Sequence, residues 1–251
     1  MDEDNVGKKE IGDILFGLKR RWDNIWYHYK IAIISGAAIL IFIIIAISQC
    51  SSKIEGDANI AYIGLKELDA EEYEYLHKNF HEILGEDLNG DGEIYVDFAH
   101  FLYMTENQAR DRRADGSVVD VQSLLVTQTQ INLALADGSS IIYFMDPEAY
   151  KILKKSGNVN TFMPLEDALG YVPEKQSDEF SIRLKDLYCW EYYYGIGSFP
   201  PNTVVAVRDR QNSDKNNKKM DDKYERNLLM FKRLVEYDKN TAFGDFGGDD
   251  E

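Results

Sequence analysis

The sequence predicts an α/β domain, a mostly parallel sheet flanked by helices, preceded by one transmembrane helix. Three observations lead to this prediction. Residues 31–48 form an uncharged apolar run, strand-like and helix-like segments alternate from residue 58 onward, and "SIIYFMD" (140–146) is almost continuously apolar. Alternation of strands with helices is typical of α/β folds, and a continuous apolar run is typical of a strand buried on both faces of a parallel sheet.

Charge and cysteine content exclude some classes of protein. The chain has 251 residues, enough for one sizeable domain and an anchor, and a formal net charge of −16. No nucleic-acid partner is expected, because binding phosphate groups requires a basic face. Two cysteines do not indicate a disulfide framework, so Cys50 and Cys189 are expected to be free thiols.

The apolar run predicts a transmembrane helix over residues 31–49, because an uncharged helix of this length rises about 27 Å and spans a bilayer. A cleaved signal peptide is disfavoured, since 30 residues precede the run. More basic residues lie just before the run than within a similar distance after it. Those just before it are Lys19, Arg20, Arg21 and Lys30, and those after it are Lys53 and Lys66. The positive-inside rule then predicts a single-pass cell-membrane protein with its N-terminus in the cytoplasm and its C-terminal domain extracellular.

The remaining boundaries follow from this orientation. Apolar residues at helical spacing in residues 1–30 predict an amphipathic helix on the inner leaflet, although the span can also simply begin with extra helical turns. Residues 50–57 form a polar tether, and residues 58–240 form the extracytoplasmic α/β domain. The acidic, glycine-rich residues 241–251 predict a disordered tail.

The first elements of the domain have clear end signals. Residues 58–64 predict a strand, and residues 70–84 predict a helix with Asp69 as its N-cap and Gly85 as its C-cap. Glu72 completes a capping box with Asp69. One apolar face has helical period. Its members are Tyr73, Leu76, Phe80, Ile83 and Leu84. Alternation over residues 93–101 predicts the next strand.

The later elements are predicted in the same way. Residues 105–117 are expected to be a charged loop, and residues 118–138 a helix that ends at Gly138. The strand over 140–146 precedes a helix that begins at Pro147 and is capped by Asp146. The expected elements that follow are a short helix over 165–170, strands over 180–190 and 202–209, and a last amphipathic helix over 222–238.

Residues 133–169, "LALADGSSIIYFMDPEAYKILKKSGNVNTFMPLEDAL", resemble part of the first lobe of extracellular solute-binding proteins, the type II periplasmic class. In that class a helix ends in a small residue, Gly and Asp, and a buried strand then ends in Asp before a capped helix. The order of elements resembles that lobe over residues 58–240. Residues 170–202 leave no room for a second lobe, so the resemblance implies a single solute-binding-protein-like lobe with half of the ligand cleft missing.

The segment "GEDLNGDGEIYVDF" (85–98) predicts an EF-hand-like calcium loop. Its predicted ligands are the side chains of Asp87, Asn89 and Asp91 and the backbone carbonyl of Glu93, with Gly92 at the sharp turn. Phe98 stands at the twelfth place, where a calcium loop needs a Glu. Helix–loop–strand sites in sugar-binding relatives of the solute-binding proteins use a distant acid instead, and the resemblance implies the same here. The expected role of Ca²⁺ is structural, and the alternative is a solvated polar turn.

Aromatic residues crowd the segment "YCWEYYYGIGSFPPN" (188–202), which predicts a surface for a ligand or partner. The candidate residues are Tyr188, Trp190, Tyr192, Tyr193 and Tyr194. The alternative is that these rings are core material. A concave pocket lined by the rings would favour a small ligand, and a flat patch would favour a protein partner.

Together these features predict a non-enzymatic, membrane-anchored binding or interaction module with a structural calcium site. Its ligand is expected to be a protein, a peptide or a small solute. One alternative is a structural or assembly subunit of a membrane protein complex. A weaker alternative is an unrecognised hydrolase. It is weaker because the sequence contains no nucleophile elbow, phosphate loop or local Cys–His signature.

Overall fold

The computed structural model describes most of residues 55–238 and a few residues before them. The described residues are 27, 29–31, 34–36, 39–43, 55–116, 118–156, 159–211, 214 and 217–238. The chain divides into two compact units, Met1–Ile54 and Glu55–Glu251. The described residues of the first unit are helical. Nearly all of the predicted cytoplasmic segment, about half of the predicted span and the whole predicted tail lie outside the described residues.

Among the described residues, the helices include none with both the length and the apolar character needed to cross a bilayer.

The second unit is an α/β domain built on a mixed six-stranded sheet. Its strands are β1 (Ala58–Gly64), β2 (Val96–Leu102), β3 (Ile142–Met145), β6 (Gln176–Asp178), β7 (Ser181–Arg183) and β8 (Val204–Val207), and a separate pair comprises β4 (Lys155–Ser156) and β5 (Val159–Asn160). The strand order in the large sheet is β2-β1-β3-β8-β7-β6. Strand β1 is parallel to β2 and β3, whereas β8 is antiparallel to β3 and β7, and β6 is antiparallel to β7.

The prediction of a mostly parallel sheet is therefore wrong for the second half of the domain. The reason lies in the connection between β7 and β8, where Leu184 N donates to Thr203 O at 2.7 Å. This bond joins the end of β7 to the start of β8, so the chain leaves and re-enters the sheet at the same end. A connection of that kind makes two neighbouring strands antiparallel.

Helices cover both faces of the sheet. They are α1 (Ala70–Leu84), α2 (Glu106–Ala114), α3 (Val121–Asp137), α4 (Pro147–Leu153), α5 (Leu165–Leu169), α6 (Tyr188–Tyr192), α7 (Tyr194–Gly197) and α8 (Lys218–Glu236). The predicted capping box of α1 is present, with Asp69 and Glu72 in both roles, and Gly85 ends the helix in the left-handed conformation. Of the predicted apolar face of α1, four residues are buried and Tyr73 is 40 % exposed.

Two segments differ from their predicted structure. Residues 105–117 are not a loop, because Glu106–Ala114 form α2 and Thr105 makes a capping box with Gln108. A single residue of this helix, Ala109, is buried, so the apolar periodicity that reveals most helices is missing. The predicted strand over 180–190 is confined to Ser181–Arg183, and a 3₁₀ turn (Leu184–Asp186) and α6 follow it.

The core lies on both sides of the central strands. Ile60 and Tyr62 of β1 belong to one buried cluster with α1 and α8, whereas Ala61 and Ile63 belong to a second cluster with α3 and α4. Strands β3 and β8 alternate in the same way. This two-sided burial confirms the reading of "SIIYFMD" as a fully buried strand.

Arg208, directly after β8, connects this strand to α3 and α8 from a fully buried position. Its guanidinium forms an ion pair with Asp214 at 2.7 Å and donates to Tyr224 Oη. It also donates to the carbonyl oxygens of Leu135 and Ala136, in the last turn of α3. These bonds satisfy carbonyl groups that have no partner within the helix, and so fix the C-terminal end of α3 to the sheet.

Candidate functional site

The predicted ion-binding residues lie in one loop between α1 and β2, here called the Asp87 loop (residues 86–95). Asp87 organises its first half: Oδ1 accepts from Gly90 N at 2.6 Å and from Asn89 N at 3.1 Å, and Oδ2 accepts from Gly92 N at 2.7 Å. Backbone N–H groups, chiefly those of Gly92 and Gly90, lower the pKa of Asp87. Gly90 and Gly92 have φ values of 79° and 92°, which residues with a Cβ rarely adopt.

Asn89 and Asp91 repeat this pattern two residues apart. Asn89 Oδ1 accepts from Asp91 N at 2.8 Å, and Asp91 Oδ1 accepts from Glu93 N at 2.9 Å. The loop therefore gathers the three predicted side-chain ligands on successive turns, with Glu93 following them. Within the described ranges, no three His, Cys, Asp or Glu side chains converge closely enough to hold a metal ion. The oxygen types suit calcium, and the oxygens already accept bonds from the loop's own backbone.

Asp57 is the acid that sequence reasoning missed. It is fully buried directly before β1, and its carboxylate accepts from Leu88 N at 2.7 Å, Asn89 N at 2.8 Å and Tyr95 N at 2.9 Å. Asp57 N also donates to Tyr95 O at 2.7 Å. One carboxylate thus joins both ends of the Asp87 loop to the start of the central strand. The sequence signal for this role of Asp57 is its position, a polar residue immediately before a buried strand in "GDANI".

Phe98, at the twelfth place of the calcium pattern, is buried in the core beside Val96. Its neighbour Asp97 is exposed on β2 and accepts from Asn59 Nδ2 at 3.5 Å rather than from the Asp87 loop. The strand geometry explains the difference, because successive residues of β2 point to opposite faces of the sheet. Neither residue takes the place of the missing Glu.

The predicted aromatic residues separate into two groups. Tyr192 and Tyr194 are 56 % and 60 % exposed, and Tyr188 is also exposed. Trp190 and Tyr193 pack into the core instead: Trp190 Nε1 donates to Phe199 O at 3.0 Å, and Tyr193 Oη donates to Tyr237 Oη at 2.9 Å. The buried Tyr193 and the partly buried Trp190 hold the short helices α6 and α7 in place, while the three exposed rings face solvent.

Tyr75 of α1 extends the exposed group, since its ring lies 5.2 Å from that of Tyr194, centroid to centroid, in an edge-to-face arrangement. We call Tyr75, Tyr188, Tyr192 and Tyr194 the tyrosine face. The rings of Tyr188 and Tyr192 are stacked with centroids 6.0 Å apart. Tyr75 lies more than a hundred residues before the others in the sequence, so no local pattern connects it with them.

The position of α7 depends on a close approach to α1. Gly195 N donates to Asn79 Oδ1 at 2.9 Å, and both residues are buried. A Cβ at position 195 would lie 2.4 Å from Leu76 N, well inside van der Waals contact. A residue without a side chain is therefore required here, and the contact brings Tyr194 beside Tyr75.

A groove of about 380 Å³ adjoins the tyrosine face. Its aromatic walls are Tyr171, Tyr188 and Tyr237, and charged side chains of both signs surround them. The charged residues are Glu174, Lys175, Lys185, Asp186 and Glu191. We call this the Tyr188 groove. Its volume lies at the low end of the usual range for pockets that hold a small molecule.

Asp57→Asn is expected to destabilise the domain by about 2–4 kcal/mol, because the amide group would turn an N–H toward a backbone donor and lose charge-assisted bonds. The measurement is the free energy of unfolding in urea. Asp97→Asn is the matched control, since this neighbouring carboxylate is exposed, and it should change the free energy by less than about 0.5 kcal/mol. Equal effects of the two substitutions would contradict the role given to Asp57.

No family model, curated protein or solved structure matches the chain. The resemblance to one lobe of the solute-binding proteins therefore stays a prediction based on residues 133–169 and on the order of elements. The same holds for the calcium loop. The candidate functional features are therefore Asp57 with the Asp87 loop, the tyrosine face and the Tyr188 groove.

Proposed function

We propose that the chain is a non-enzymatic binding module, anchored in the cell membrane by residues 31–49, that uses the tyrosine face to bind a protein or peptide outside the cell. The observation that carries this proposal is the exposure of Tyr188, Tyr192 and Tyr194 on a support of buried rings. Tyrosine is enriched in protein interfaces, because a rigid ring gives a large contact area at low entropic cost and its hydroxyl bonds with the partner.

The shape of the surface favours a peptide or protein over a small solute. Tyr188 lines the Tyr188 groove, whereas Tyr192, stacked on Tyr188, and Tyr194, packed against Tyr75, are exposed outside the groove's lining. A small solute would occupy the groove alone and leave those two rings without a role. A polypeptide can place one side chain in the groove, between groups of both charges, and cover the remaining rings with neighbouring residues.

We further propose a structural Ca²⁺ ion held by the side chains of Asp87, Asn89 and Asp91 and by the carbonyl of Glu93. The spacing of these oxygens on alternate residues of a tight loop supports the proposal. When bound, the ion would neutralise the clustered acids. Because Asp57 already joins the ends of the loop to β1, the ion would add stability to a preformed loop.

Saturating Ca²⁺ is expected to raise the melting temperature of the full chain by about 5 °C relative to chelator, as follows from ligand binding to the folded state alone. Asp91→Ala should abolish this rise, since it removes one side-chain ligand and spares the bonds made by Asp57. Asp115→Ala, an exposed acid outside the loop, should retain the rise. An unchanged rise in Asp91→Ala would show that the ion binds elsewhere.

The tyrosine face is tested by placing a photocrosslinking amino acid at Tyr188, Tyr192 or Tyr194 of the full chain in its native cells. One and the same partner polypeptide is expected at all three positions, with the yield reduced at least tenfold when Tyr75→Ala is added. Ile152 is the control position, because it is equally exposed and belongs to a different helix, α4. Identical crosslinks from Ile152, or none from the tyrosine face, would contradict the proposed function.

A further inference from the structure

Helix α3 exposes an unusual amount of apolar surface. Ile131 and Ala134 are its buried residues, whereas Leu125 and Leu133 are 64 % and 61 % exposed. Val121 and Val126 of the same helix are exposed as well. Isolated exposed apolar residues are normal, but several on one helix indicate a surface that another molecule covers.

Two exposed leucines, Leu125 and Leu133, are placed symmetrically about Thr129. Val121, Leu125, Thr129, Leu133 and Asp137 follow one another at intervals of four, which places them on one ridge of the helix surface, here called the α3 ridge. Thr129 is its midpoint. If a second α3 approaches this ridge in the antiparallel direction, Thr129 meets its own counterpart and Leu125 meets Leu133 of the other copy, twice. An interface related by a two-fold axis requires this kind of self-complementarity.

The charge distribution also favours a second copy. The chain carries a formal net charge of −16, so two copies repel each other over most of their surface. Residues 121–136 contain no charged side chain, and α3 is therefore a face on which two copies can approach without that repulsion.

Arginines stand at one end of the α3 ridge and an acid at the other. Arg110 and Arg113 of α2 line a cavity of about 360 Å³ together with Val121 and Leu125. Within the described ranges, neither arginine takes part in a salt bridge, and Arg113 Nε donates to Ala109 O at 3.3 Å. Asp137 is exposed at the opposite end. An antiparallel arrangement brings Asp137 of each copy toward the arginines of the other.

We propose that α3 forms a two-fold symmetric interface between two copies of this chain, centred on Thr129. The apolar contacts come from Leu125 and Leu133, and the ends are joined by Asp137 of one copy and Arg110 and Arg113 of its partner. This inference concerns a different surface from the tyrosine face and does not depend on the proposed function. Dimerisation would present two tyrosine faces in one assembly, which strengthens binding to a repeated or dimeric partner.

Thr129→Cys in a Cys50→Ser background of the full chain tests the axis directly, because the two thiols meet at the two-fold axis. Cys189 is buried and stays out of the reaction. Under mild oxidation we expect a disulfide-linked dimer in at least tenfold higher yield than from Gln130→Cys. Gln130 is the matched control, since it is exposed on the same helix and lies away from the α3 ridge.

A second pair of variants separates the interface from random collisions. Leu125→Gln with Leu133→Gln should lower the Thr129→Cys crosslink at least tenfold without changing the circular dichroism spectrum, because both side chains are exposed on the single chain. Ile152→Gln, an exposed apolar residue on α4, should leave the crosslink unchanged. Equal crosslinking at positions 129 and 130, absence of the dimer, or a disulfide from position 129 to a different protein would overturn the proposal.

Discussion

The tyrosine face depends on one close contact between α1 and α7. Gly195 N donates to Asn79 Oδ1, and the backbone of α7 lies so near Leu76 that no side chain fits at position 195. This contact fixes the short helices α6 and α7, which have few residues and no side-chain caps of their own. Short helices are marginal in isolation, so their order comes from the packing against α1.

The position of α1 is set in turn at its C-terminal end. The helix ends at Gly85, and the Asp87 loop that follows is attached to β1 by the buried carboxylate of Asp57. A chain of contacts thus runs from the central strand through the loop and α1 to Gly195 and the tyrosine face. The proposed calcium ion would act at the start of this chain of contacts, at the Asp87 loop.

Much of the first half of the fold could be predicted from the sequence, because its signals are local. The capping box at Asp69, the left-handed Gly85 and the apolar run of β3 each depend on a few adjacent residues. The antiparallel direction of β8 could not be predicted, since it depends on a connection of about twenty residues between two strands. Helix α2 was missed because Ala109 is its single buried residue, although its capping box was visible in "TENQ".

In the candidate site, too, the features formed by adjacent residues could be predicted, and those formed by distant residues could not. The loop residues Asp87, Asn89 and Asp91 form a recognisable motif, and the structure places them on successive turns of one loop. The sequence does not predict the roles of Asp57 and Tyr75. Each contacts its site through residues that are distant from it in the sequence. Which tyrosines of residues 188–194 face solvent also depends on the fold, since Tyr193 is packed in the core, where its hydroxyl bonds to Tyr237.

Hydrogen exchange tests most directly whether α1 holds the tyrosine face. Asn79→Ala removes the acceptor of Gly195 N, and Lys78→Ala, an exposed change on the same helix, is the control. The account predicts faster exchange of the amides in residues 187–198 of Asn79→Ala, with the Asp87 loop unchanged, and no effect in Lys78→Ala. Unchanged exchange over residues 187–198 in Asn79→Ala would contradict the dependence of the tyrosine face on α1.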